Sequence, residues 1–143
     1  MKTVLNKLIN WKIGLGLIIF LAAFLRFWNL GSVPSGATND EVTYIYNAYS
    51  ISQTSKDIAG NSLPLSFNIF NSFSPVPIYT MSPFIKILGL SLFTARLPFA
   101  LAGIAGVFLL FLIAKNITNN YYIALSAAFV LSVSPWHLQF SRV

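Results

Sequence analysis

The chain has 143 residues, of which 56% are hydrophobic and only 8% are charged. This balance excludes an ordinary soluble domain, in which about a quarter of the residues carry a charge. The formal net charge of +6 comes from nine scattered Lys and Arg residues without a basic cluster, so we expect no nucleic-acid partner. The absence of cysteine from this sequence excludes disulfides and thiolate chemistry within it.

The first predicted element is a transmembrane helix at about residues 11–28. Trp11 and Trp28 bracket an apolar run as interfacial aromatic residues do, and its length is near the roughly 20 residues that span a bilayer. We place the N-terminus in the cytoplasm because three lysines precede the run: Lys2, Lys7 and Lys12. Arg26 is expected to extend outward to the interface. A cleaved signal peptide is the alternative, since it shares this pattern.

Residues 29–95 are predicted to form an outer loop that contains interfacial helices. One of them carries an apolar stripe at helical spacing, which we expect to lie on the bilayer surface: Val42, Ile45, Tyr46 and Tyr49. Asp40, Thr43 and Asn47 would then face the aqueous side.

A second apolar stretch in this loop, residues 75–93, contains Lys86 at its centre. A lysine at the middle of a span costs about 2.5 to 3.5 kcal/mol on insertion scales. We therefore expect a helix that lies at the outer interface or re-enters shallowly, rather than a span.

Two further spans are predicted, at about residues 96–114 and 120–140, joined by a tight cytoplasmic turn. The first of these is uncharged between Arg96 and Lys115. The fold class expected is an all-α polytopic membrane protein with about three transmembrane helices. The whole chain is expected to be the N-terminal part of a transmembrane domain whose remainder is missing.

Asp40 and Glu41 form an adjacent acidic pair in a chain with three acidic residues. In one interpretation Thr38 is the N-cap of a helix and Glu41 reaches back to it in a capping box, while Asp40 benefits from the helix dipole. In the other, the pair is catalytic. Neighbours on a helix point about 100° apart, so the two carboxylates would need separate roles.

The chain resembles the N-terminal part of a GT-C glycosyltransferase, the superfamily of dolichyl-phosphate-mannose protein mannosyltransferases and bacterial aminoarabinose transferases. The resemblance covers nearly all of the sequence. Its motifs, in order, are Asn39-Asp40-Glu41, Tyr46-Asn47-Ala48, Leu63-Pro64-Leu65, Ser74-Pro75-Val76-Pro77-Ile78-Tyr79, Arg96-Leu97-Pro98, Ala102-Gly103 and Ser134-Pro135-Trp136-His137.

This resemblance implies an inverting transfer of a sugar from a polyprenyl-phosphate-linked donor to an acceptor hydroxyl at the outer face of the plasma membrane. Asp40 and Glu41 are then the candidate catalytic residues, with Asp40 as the base. Arg96 and Arg142 are weaker candidates for binding the donor phosphate, and a divalent metal ion is left open as a cofactor. The expected partners are the lipid-linked donor, membrane lipids and an acceptor of unspecified class. The alternative is a small non-enzymatic membrane protein or assembly partner in which the acidic pair is a helix cap.

Overall fold

The computed structural model describes the backbone of residues 2–68 and 72–142, and the side chains of residues 11–67 and 73–142. The elements in chain order are α1 (Lys2–Phe27), α2 (Asn39–Thr54), β1 (Phe67–Asn68), β2 (Ser72–Phe73), α3 (Pro75–Leu88), α4 (Leu92–Thr118), α5 (Tyr121–Val133) and α6 (Pro135–Phe140). The predominantly helical fold is therefore confirmed. The antiparallel hairpin of β1 and β2, in which Phe67 pairs with Phe73, was not predicted.

The chain divides into two compact units. The first unit contains the chain up to Trp28 together with Phe99–Arg142, and the second unit is Asn29–Pro98. All three acidic residues of the sequence lie in the second unit, where three basic residues balance them. The net charge of +6 therefore belongs entirely to the first unit.

In the first unit α1 packs on α5, and small residues allow the close approach. Its core consists of Ala22, Val107, Phe111, Ala124 and Ala128. Among the described residues, α4 alone is long and apolar enough to cross a membrane, by length and composition. It contains the whole predicted span 96–114 and extends it at both ends.

The third predicted span, about residues 120–140, is broken late at Pro135, as its sequence indicates. Helix α5 ends at Val133 and α6 begins at Pro135, because proline has no backbone N–H to continue the helical hydrogen bonding and its ring clashes with the preceding turn. The 13 residues of α5 extend about 20 Å, which is less than the roughly 30 Å of a hydrocarbon core.

Arg26 does not extend to the interface as predicted, since its side chain is fully buried. Its Nη1 donates to the carbonyls of Ala22 at 3.0 Å and Ser132 at 3.4 Å, and its Nη2 donates to Nδ1 of His137. The guanidinium lies directly against Gly103, where an added Cβ would be 2.7 Å from Nε. Arg26 is buried by residues of other helices, which meet it only in the folded chain. The spacing of residues along α1 does not reveal such contacts.

In the second unit the buried faces of α2 and α3 pack together. Their buried apolar side chains are Ile45, Ala48 and Ile51 on α2, and Ile78, Met81 and Ile85 on α3. The predicted apolar stripe of α2 is thus divided, because Ile45 is 7% exposed while Val42, Tyr46 and Tyr49 remain on the surface. That this exposed part lies on a bilayer stays a prediction.

Asn47 is fully buried, so its predicted position on an aqueous face is wrong. Its Nδ2 donates to the carbonyl of Thr43 at 2.9 Å, and its Oδ1 accepts from the backbone N–H of Ile58 at 3.3 Å. A buried amide needs such partners to offset the loss of water. Asn47 therefore ties the middle of α2 to the loop that follows it.

Candidate functional site

The acidic pair lies in the first turn of α2, and the predicted N-cap is confirmed. Thr38 has extended backbone angles of φ −70° and ψ 159°, and its Oγ1 accepts from the backbone N–H of Glu41 at 3.2 Å. This bond satisfies one of the N–H groups that the first turn of a helix leaves without a partner. The local sequence alone accounts for this part of the geometry.

The second half of the predicted capping box is wrong, because the Glu41 carboxylate binds Arg96 instead of reaching back to Thr38. Arg96 Nε donates to Oε1 of Glu41 at 2.7 Å, and Nη2 donates to Oε2 at 3.0 Å. The two side chains are 4% and 1% exposed respectively. This two-point geometry matches the flat guanidinium to the flat carboxylate and is the strong form of an ion pair.

Arg96 also fastens the segment that leads into α2. Its Nη1 donates to the carbonyls of Leu30 at 3.2 Å and Pro34 at 3.1 Å, and its Nη2 donates to the carbonyl of Gly36 at 2.8 Å. With the two bonds to Glu41, all five N–H donors of the guanidinium are engaged. In this arrangement Arg96 has no donor left for a substrate phosphate.

The start of α4 fixes the position of Arg96. Ser91 caps this helix, since its Oγ accepts from the backbone N–H of Thr94 at 3.1 Å. Glu41 lies in the first turn of α2, where the helix dipole favours a carboxylate. Because both side chains are buried, each supplies the counter-ion that the other needs away from water.

Asp40 is exposed, and its carboxylate accepts no hydrogen bond from the described residues. It precedes Glu41 by one position and therefore points about 100° away around the helix axis. The pair is thus divided between a buried carboxylate that is held by a cation and a carboxylate that faces outward. That the two carboxylates have separate roles in catalysis stays a prediction.

Asp57, the third acidic residue, was not singled out from the sequence, although it is buried. Its Oδ1 accepts from the backbone N–H groups of Ala59 at 3.0 Å and Asn61 at 2.7 Å, and its Oδ2 accepts from Asn61 Nδ2 at 2.9 Å. Burial raises the pKa of Asp57, but these hydrogen bonds favour the charged form and hold the pKa below its ordinary value. The Asp-x-x-Gly-Asn spacing of a turn was the available signal.

Arg142, the other arginine predicted to bind phosphate, lies in the first unit. Its Nη1 donates to the carbonyl of Leu25 at 2.6 Å, and its Nη2 donates to the carbonyl of Trp28 at 2.7 Å. The carbonyls of a final helical turn lack intrahelical partners, and a cation there also complements the helix dipole. Arg142 therefore caps the C-terminal end of α1.

A metal site would need several ligands on converging elements. Within the described residues, no three His, Cys, Asp or Glu side chains come together in this way. Both oxygens of Glu41 are already bound by Arg96, which leaves Asp40 as the member of the pair that is open to other contacts. The described residues do not form a metal site by themselves.

Residues 72–143, half of the sequence, match the family model described as dolichyl-phosphate-mannose-protein mannosyltransferase. The chain belongs to this family. No curated protein and no solved structure matches the chain. Membership in a mannosyltransferase family supports a glycosyltransferase-type function and a membrane setting. The matched segment includes Arg96 and Arg142 but not Asp40 or Glu41, so the interpretation of the acidic pair depends on its geometry.

Proposed function

We propose that this chain is the part of a membrane glycosyltransferase that supplies the catalytic base, Asp40. The enzyme would move a sugar from a polyprenyl-phosphate-linked donor to an acceptor hydroxyl at the outer face of the plasma membrane. The observation that carries this proposal is the state of the three carboxylates in the sequence. Two of them are fully engaged inside the second unit, whereas the Asp40 carboxylate accepts no hydrogen bond from the described residues.

The engaged carboxylates are unsuited to accept a proton from a substrate. Both oxygens of Glu41 are bound by Arg96, and both oxygens of Asp57 are bound within its own turn. A general base must have an accessible lone pair within hydrogen-bond reach of the proton that it removes. Asp40 meets this condition on the first turn of α2, a helix end whose backbone is fixed by its cap.

The proposed reaction needs one base. The acceptor oxygen attacks the anomeric carbon as the bond from that carbon to the phosphate oxygen breaks, so the configuration inverts. Asp40 takes the proton of the acceptor hydroxyl, and the polyprenyl phosphate leaves with the bonding electrons. Glycosidases use a second carboxyl to protonate a basic leaving alkoxide, whereas a departing phosphate needs no proton. A single outward carboxylate is therefore sufficient.

Arg96 and Glu41 take a different part in this proposal from the one predicted. With all its donors engaged, Arg96 is better suited to position the start of α2 than to bind the donor phosphate. Glu41 is its counter-ion and anchors the backbone one residue from the base. Both are positioning residues, since they act on the reaction through Asp40.

The membrane setting suits a lipid-linked donor, because its chain stays in the bilayer while its headgroup reaches the surface. Helix α4 is long and apolar enough to cross the membrane. The exposed Val42 and Tyr46 give α2 an apolar surface on the side of the helix turned away from Asp40. We propose a multi-pass plasma-membrane protein with a cytoplasmic N-terminus and the second unit outside.

The test is Asp40→Asn in the full-length protein, with transfer measured from a radiolabelled polyprenyl-phosphate sugar. We expect loss of transfer with normal expression and membrane insertion. Asp57→Asn is the matched control, since it makes the same chemical change at a carboxylate engaged in its own turn, and it should retain transfer wherever it folds. Undiminished transfer by the Asp40→Asn enzyme would refute the assignment.

A further inference from the structure

One end of the first unit carries a stack of three aromatic rings. The centroids of Trp11 and Tyr121 are 4.7 Å apart with planes 18° from parallel, and those of Trp11 and Phe111 are 5.9 Å apart with planes at 16°. These rings bring together the first half of α1, the late part of α4 and the start of α5. Aromatic residues with a polar edge favour the level of the lipid headgroups.

Two lysines lie on this stack. Lys12 Nζ is 5.8 Å from the centroid of Trp11, and Lys115 Nζ is 5.2 Å from that of Tyr121. Such contacts hold an ammonium group in place through the charge distribution of the ring without neutralising it. Because the three acidic residues of the sequence all lie in the second unit, neither lysine has a carboxylate partner within the first unit. Within the part of the chain that the structure describes, the two ammonium groups are therefore cations without a carboxylate counter-charge.

The indole of Trp11 adds a hydrogen-bond donor. Its Nε1 is buried and has no acceptor among the described residues. An indole N–H can only donate, so it needs an oxygen that the described side chains do not supply. Two cations and one unsatisfied donor in the same cluster form the complement of a phosphate ester.

We propose that this cluster, formed by Trp11, Lys12, Lys115 and Tyr121, binds the phosphate headgroup of an anionic phospholipid. A lipid is favoured over a soluble phosphate because the face of α4 that carries Lys115 is apolar and exposed, with Leu112 38% and Phe108 43% exposed one and two turns before the lysine. Acyl chains would cover that surface while the phosphate meets the lysines. Basic residues between helices at a membrane surface recognise anionic headgroups in this way.

Native mass spectrometry of the full-length protein tests the site, with dioleoyl phosphatidylglycerol and dioleoyl phosphatidylcholine as the two probes. We expect preferential retention of phosphatidylglycerol. Lys12→Gln and Lys115→Gln should each weaken that binding about five-fold, as about 1 kcal/mol for each lysine near a charged surface implies. The variant with both Lys12→Gln and Lys115→Gln should bind phosphatidylglycerol more weakly still, and if it does not fold, the two single variants carry the comparison.

The controls separate charge at this cluster from charge in general. Lys86→Gln removes an exposed lysine of the second unit and should leave lipid retention unchanged, while the double Lys→Arg variant should retain it. Equal retention of both lipids, or unchanged phosphatidylglycerol binding by both Gln variants, would overturn the proposal. Displacement of the lipid by glycerol 3-phosphate at equal concentration would show a soluble phosphate site and also overturn it. Because the readout is binding, the result is independent of whether Asp40 is the catalytic base.

Discussion

Arg96 and Glu41, 55 positions apart in the sequence, are joined by two hydrogen bonds of 2.7 and 3.0 Å in a buried site. The same guanidinium binds three carbonyls of the segment 30–36. Arg96 therefore holds the start of α2 in two ways, through the Glu41 side chain and through the backbone carbonyls that precede the helix. Asp40 precedes Glu41 in the sequence, and its exposed carboxylate takes no part in these hydrogen bonds.

Replacing Arg96 should destabilise the second unit strongly. Arg96→Ala leaves the Glu41 carboxylate buried without a cation, and removal of one partner from a buried pair costs about 3 to 5 kcal/mol. Arg96→Lys keeps the charge but not the two-point geometry or the carbonyl contacts, so its loss should be smaller but clear. Thermal unfolding in detergent checks this order. Equal stability of the Lys variant and the wild type would show that the geometry is unimportant.

The energetic coupling between Glu41 and Arg96 should be visible in a double-mutant cycle. Each single change, Glu41→Gln or Arg96→Met, leaves its partner without its counter-ion, whereas the double variant removes both charges. We expect the double variant to be more stable than the sum of the single losses predicts, by about 0.5 to 3 kcal/mol. Denaturant unfolding of the four proteins measures this coupling, and strict additivity would contradict it.

Gly103→Ala should destabilise the first unit, because the added Cβ would lie 2.5 Å from Ser141 Cβ and 2.7 Å from Arg26 Nε. Overpacking of this kind typically costs about 1 to 3 kcal/mol. Gly16→Ala is the matched control, since a Cβ there meets no described atom within 4 Å apart from its own chain neighbours and the backbone of its own helix. The midpoint of thermal unfolding should fall for the first variant and not for the second. Equal midpoints would show that α4 has room at Gly103.

The turn at Asp57 should lose protection in acid. Its pKa is lowered in the folded chain, so its charged form contributes stability above the unfolded pKa of about 3.9. That contribution is lost as the pH falls through the folded pKa. Hydrogen exchange at Ala59 and Asn61, corrected for intrinsic rates, should show this loss in the wild type. In Asp57→Asn the protection of these two amides should be weaker than in the wild type at neutral pH, and it should not change as the pH falls through the range in which Asp57 titrates.

A unique cysteine tests the predicted orientation, because the sequence has none of its own. Ala59→Cys places a thiol at an exposed position of the second unit and keeps the backbone N–H that donates a hydrogen bond to Asp57. An impermeant maleimide should label it in intact cells that express the 143-residue chain. Labelling only after permeabilisation would place the second unit in the cytoplasm and reverse the topology.

Local features of the site were predictable from the sequence, and its long-range partners were not. The cap at Thr38 and the exposure of Asp40 depend on a few adjacent residues and on helical geometry. The role of Arg96 depends on a contact across 55 positions, which no local pattern contains. An interfacial arginine and a buried one have the same neighbours in sequence.

The same limit explains the errors elsewhere in the fold. Asn47 looked like a surface residue by helical position, yet the loop at Ile58 covers it and supplies its donor. Arg26 was expected at the interface because long cations usually reach water. Its burial requires the carbonyl of Ser132, the ring of His137 and the space at Gly103, all more than 70 positions away. Tertiary packing decided both cases.

The amide of Asn47 has a consequence for any acceptor that this site serves. Helix α2 is fastened near its start through Glu41 and again through Asn47 to the backbone of Ile58. Asp40 is thereby carried on a helix that has little freedom to tilt or slide, and its carboxylate can adjust only by rotation about its own side-chain bonds. An acceptor of different size would have to be accommodated by the surroundings of the base. A change in acceptor preference would then come from changes in the residues that face Asp40, while the position of α2 and its base stays the same.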